Sequence, residues 1–102
     1  MKCIYWNTKE LSDLSSVLDI LQHEIPDVFF LSETKEDIIV NNLKQLEALN
    51  YEYFLNPGCK RIIILKKKDL ILNLGRQSTY YTTLKDNKNN VNIISVHLPS
   101  QM

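Results

Sequence analysis

Three polar residues each close a short run rich in strand formers. Asn7 follows Ile4-Tyr5-Trp6, Glu33 follows the apolar stretch 27–32, and His97 stands near the end of 91–98, before Leu98-Pro99-Ser100. A carboxylate can hold a hard cation such as Mg²⁺ or Mn²⁺ among water ligands, an asparagine amide can orient the site, and an imidazole can donate to a phosphate oxygen. Sites in sheets with parallel strands gather at strand ends. If these strands are neighbours, the three residues can converge on one edge. Each residue alone also has an ordinary reading: a turn former, a charge at a helix N-terminus, an edge residue. One carboxylate alone is a poor metal site. A fourth group is the basic run Lys60, Arg61, Lys66, Lys67 and Lys68, close in composition to a phosphate- or nucleic-acid-binding segment. Lysines of this kind also keep a strand edge soluble.

The elements that must position these residues follow from periodicity. Residues 2–7 read as a strand. Leu14, Val17, Leu18, Leu21 and Ile25 mark one face of a helix, with Ser12 as its expected cap and Pro26 as its stop. Residues 27–32 form a second strand and residues 36–49 a second amphipathic helix. The period then changes to two. Strands are expected over 51–55, 61–67, 70–74, 77–84 and 91–98, with turns at Asn56-Pro57-Gly58 and over 86–90. The β-α-β-α start followed by hairpins predicts an α/β or α+β fold: a mixed sheet with two helices on one face. Tyr80 and Tyr81 alternate within a strand pattern and read as packing residues, and His23, beside Gln22 and Glu24, reads as surface. The stretches 27–32 and 61–65 are apolar on both faces and need cover on each. The helices cover one face. The other is expected to need a second layer, a partner chain or a second copy.

At 102 residues the chain is one domain or a piece of one. Its apolar and charged fractions of 44% and 24% exclude disorder. No apolar run approaches the ~20 residues of a membrane span, and the first residues do not read as a secretion signal. Cys3 and Cys59 stand far apart and in no CxxC pattern, so reduced thiols and a cytoplasmic location are expected. The zero net charge hides a division. Residues 1–50 hold four lysines and nine acids, and residues 51–102 hold eight basic residues and three acids.

Ile4-Tyr5-Trp6-Asn7-Thr8 resembles the opening strand of the endonuclease/exonuclease/phosphatase superfamily, the deoxyribonuclease-like metal-dependent phosphodiesterases. Pro26-Asp27-Val28-Phe29-Phe30-Leu31-Ser32-Glu33-Thr34 is similar to that family's second signature, in the Ser-Glu-Thr form of retroelement-type endonucleases. Residues 58–67 resemble its Gly-led turn and apolar strand, with Lys60-Arg61 where the family has glycine. Residues 91–100 are similar to the strand that ends in His.

The resemblance implies the N-terminal half of a four-layer α/β/β/α sandwich, so residues 1–102 are expected to form a single partial domain. It implies Glu33 as ligand of Mg²⁺ or Mn²⁺, Asn7 in the metal and phosphate pocket, and His97 on the scissile phosphate of a nucleic acid or other phosphoester. The implied reaction is hydrolysis by in-line attack of water on phosphorus. The family's Asp-x-Asn and Ser-Asp-His motifs do not occur in these residues, so the chain is expected to be inactive alone and to bind the cation weakly. The competing expectation is a non-catalytic binding or regulatory module, or a homodimer, built from half of the fold.

Overall fold

Side-chain alternation in two strands decides the architecture. The computed structural model describes residues 1–98; Pro99 and Ser100 of the segment read above lie outside them. β1 (Cys3–Asn7) and β2 (Val28–Ser32) are parallel and joined by α1 (Ser15–Glu24). After β2 come α2 (Glu36–Val40), α3 (Leu43–Ala48), β3 (Tyr51–Phe54) and β4 (Ile62–Lys67). These strands form a four-stranded sheet in the order β1-β2-β4-β3, with β4 antiparallel to both its neighbours. β5 (Asn73–Gln77), β6 (Tyr81–Asp86) and β7 (Val91–Val96) form an antiparallel three-stranded sheet. The fold is α+β, the class expected.

Every residue of β2 is buried. Phe29 and Leu31, with Ile63 and Leu65 of β4, pack against Val17 and Leu21 of α1, Ile39 of α2 and Leu46 of α3. Val28, Phe30, Ile62 and Ile64 face the other way and meet Cys59, Leu72 and Leu84. Each such fully buried side chain contributes about 1.5–3 kcal/mol. The second face, expected to need cover from outside these residues, is therefore covered by the chain's own second sheet. The strands expected in one mixed sheet divide because β6 and β7 also alternate, turning Thr82, Leu84 and Ser95 inward and leaving Ile94 and Val96 exposed.

Asn56, only 7% exposed, fastens the two sheets. Its Nδ2 donates to the carbonyls of Cys59 and Ile62, and its Oδ1 accepts from Gln77 Nε2 of β5 and Thr82 Oγ1 of β6. This polar knot sits where an unpaired amide would be costly.

Three local expectations shift. The helix expected over 36–49 breaks at Asn41-Asn42, where Asn42 Nδ2 bonds the Ile38 carbonyl at 2.7 Å and competes with the helical backbone. Asp13, not Ser12, holds the start of α1, its Oδ1 accepting from the backbone N–H and hydroxyl of Ser15. The strands expected at 70–74 and 77–84 become β5 and β6, with a turn between them closed by Ser78 N–H donating to the Tyr81 carbonyl.

Candidate functional site

Parallel pairing of β1 and β2 sets Asn7 opposite Ser32 and so places Glu33 beside Asn7. Asn7 Nδ2 donates to Glu33 Oε2, and Asn7 Oδ1 accepts from the Lys9 backbone. The loops beyond the two strands are stitched together. Thr8 N–H donates to the Ser32 carbonyl at 3.0 Å and Glu10 N–H to the Glu33 carbonyl at 2.8 Å. The hydroxyls of Thr8 and Thr34 lie 2.6 Å apart. Lys9, Glu10 and Glu33 all have left-handed backbone, with φ of 50°, 65° and 52°. Such conformations cost non-glycine residues about 1–3 kcal/mol each and cluster where sites demand them.

β4 runs antiparallel to β2, with Ile62 opposite Ser32, so the turn before β4 brings Lys60 and Arg61 to the same end. His97 arrives there from the second sheet, its N–H donating to the Tyr80 carbonyl at 2.7 Å. Its Nδ1 meets Tyr5 Oη at 3.1 Å, and that phenol donates to Ser32 Oγ at 2.9 Å. The Arg61 guanidinium lies 5.0 Å over the Tyr80 ring.

Glu10, Glu33, Lys35, Lys60, Arg61 and His97 thus line one cleft of about 240 Å³ together with Thr34. It presents carboxylates, cations and an imidazole to a common space, a donor and charge set suited to a phosphate group and a hard cation. Among the described residues no three His, Cys, Asp or Glu side chains stand close enough to hold a metal by themselves.

Lys66 and Lys67 are not in this cleft. They lie at the far end of the six-residue β4, about 20 Å away. Lys66 is buried, pairs with Glu52, and donates to the carbonyls of Lys67 and Leu70. Lys67 pairs with Asp27 at 3.3 Å, and Lys68 with Glu47 at 2.9 Å.

Sequence reasoning did not find Tyr5, Glu10 or the role of Tyr80. Tyr5 was detectable in principle, since it stands two residues before Asn7 and shares its face of the strand. Tyr80, read as a packing residue, is 39% exposed because it belongs to the turn before β6. His23 is exposed on α1, as expected. Cys3 and Cys59 are free thiols, and burial pushes both upward in pKa. Among the described residues no helix is long and apolar enough to cross a membrane. Compared with known protein families, curated proteins and solved structures, the chain matches none of them.

Proposed function

We propose that this chain forms one wall of a divalent-cation-dependent phosphoester site of hydrolase type, with a nucleic acid or related phosphoester as substrate. The observation that carries the reading is the meeting of Asn7, Glu33, Lys60, Arg61 and His97 at one end of two sheets. The resemblance of the segments around Asn7, Glu33 and His97 to deoxyribonuclease-like phosphodiesterases points the same way. Glu33, held in place by the Asn7 amide, and Glu10 offer oxygen donors that fit Mg²⁺ or Mn²⁺, which take one or two carboxylates and fill the remaining positions with water and substrate oxygens. Such an ion would supply Lewis-acid stabilisation of charge developing on the phosphate. Lys60 and Arg61 would neutralise the non-bridging oxygens, and His97 Nε2 would donate to one of them when the ring carries a proton on both nitrogens.

The partner of His97 Nδ1 is a phenol, not a carboxylate. A carboxylate beside the ring would stabilise it as it takes up a proton, whereas a neutral phenol gives little such help. The chain is therefore expected to bind phosphoester far better than it turns it over. Titration of Mn²⁺ followed by electron paramagnetic resonance, with and without inorganic phosphate, tests the reading. Binding that is lost in Glu33→Gln supports it. Equal Mn²⁺ binding by wild type and Glu33→Gln overturns it.

A second reading, a module that works through a partner chain or a second copy, is favoured by Ile94 and Val96. They are 66% and 49% exposed and adjacent on the outer face of β7. Sedimentation of wild type and Ile94→Lys decides it. A dimer lost on substitution supports association, and a monomer in both excludes the self-paired form.

A further inference from the structure

We propose that a second cleft, beside the first, seats the base of a nucleotide whose phosphate occupies the Glu33–His97 cleft; this rests on the phosphoester reading above. The second cleft measures about 320 Å³ and shares Thr34 and Lys60 with the first. That volume falls within the range of roughly 300–1,000 Å³ typical of small-ligand sites. Its walls are formed mainly by the apolar or aromatic side chains of Tyr53, Leu55, Pro57, Ile62 and Ile63, with Asn56 and Glu36 among its polar groups.

Leu55 is 67% exposed just past the end of β3, a large apolar side chain that the core does not use. Tyr53 is held rigidly, its hydroxyl donating to Glu36 Oε2 at 2.5 Å. Burial and the Glu36 carboxylate push its phenol well above the ordinary tyrosine range, so the ring stays neutral. An apolar slot with a few polar groups at its edge fits a flat heterocycle, which has a π-face to bury and a hydrogen-bonding edge to satisfy. Lys60, on the boundary between the clefts, is placed where a nucleotide's phosphate joins its sugar.

The test titrates inorganic phosphate, ribose 5-phosphate and AMP, each with Mg²⁺, into the protein and follows backbone amide shifts by NMR. AMP is expected to bind at least tenfold more tightly than ribose 5-phosphate, with shifts reaching Leu55 and Ile63. Leu55→Asn, at an exposed position the fold tolerates, is expected to erase that advantage and leave ribose 5-phosphate binding unchanged. If AMP binds no more tightly than ribose 5-phosphate, or keeps its advantage in Leu55→Asn, the base cleft is overturned and the phosphoester reading stands. If none of the three binds at millimolar concentration, both are overturned.

Discussion

Tyr5 Oη lies 3.1 Å from His97 Nδ1 and joins the first strand of one sheet to the residue just past the last strand of the other. With that phenol donating to Ser32 Oγ, it is left to accept from the imidazole, an arrangement that puts a proton on Nδ1. Nε2 is left for the cleft. Tyr5→Phe is expected to free Nδ1, shift the ring toward the Nε2–H tautomer, and cost about 0.5–1.5 kcal/mol of stability. The ¹⁵N shifts of the imidazole read the tautomer directly. An unchanged tautomer in Tyr5→Phe would show that Tyr5 does not position His97.

Glu33 sits in left-handed backbone, where an L side chain costs about 1–2 kcal/mol and glycine costs little. Glu33→Gly is expected to raise unfolding stability by about 1 kcal/mol while abolishing Mn²⁺ binding. Glu33→Gln keeps the strain and loses only the charge, so it is expected to change stability by less than about 0.5 kcal/mol. Urea denaturation of the three proteins separates these effects. A destabilised Glu33→Gly would mean that the carboxylate serves the fold and not the site.

Periodicity carried the reading furthest where burial is one-sided or complete. The β1–α1–β2 start and the two-faced apolarity of β2 and β4 were legible because side chains alternate strictly in strands. The closeness of Asn7 and Glu33 follows from parallel pairing of the first two strands. Which end of β4 meets Glu33 was not legible. Lys60-Arg61 and Lys66-Lys67 look like one basic patch in the sequence, yet the extended β4 holds them at opposite ends, and its antiparallel pairing with β2 brings only the first pair to Glu33. Nor was the division into two sheets legible, because it depends on whether Leu84 packs beside Ile64 in one sheet or across from it in another. The contact between Tyr5 and His97 spans 92 residues, and no local pattern encodes it.

Substitutions along that basic stretch should therefore divide into two classes. Lys66→Met removes the donor to the carbonyls of Lys67 and Leu70 and is expected to cost about 1–3 kcal/mol without changing phosphate affinity. Arg61→Ala removes an exposed guanidinium resting on Tyr80 and is expected to cost less than about 1 kcal/mol. It should weaken phosphate binding about tenfold, the effect of losing a charge-assisted hydrogen bond. Paired urea melts and phosphate titrations check both. Equal losses of phosphate affinity would mean that the cleft does not select between the two ends of β4.

The pH dependence of stability should be visible at Asp27. The backbone N–H of Lys2 donates to its carboxylate at 2.7 Å, and Lys67 pairs with it at 3.3 Å. Together, with the Lys2 bond the larger cause, they hold its pKa below the ordinary aspartate value against some opposition from burial. In the unfolded chain the carboxyl titrates near its reference value of about 3.9. Its stabilising contribution is thus fully present above that pH and is lost as pH falls through the lower, folded value. The wild-type urea midpoint is expected to stay flat between about pH 8 and pH 5 as far as this group is concerned, then fall in acid. Asp27→Asn should lower the midpoint at pH 7, and the gap from wild type should close in strong acid, where both side chains are neutral. A gap of the same size at pH 7 and pH 2 would show that packing, and not the charge on Asp27, binds the start of β1 to β2.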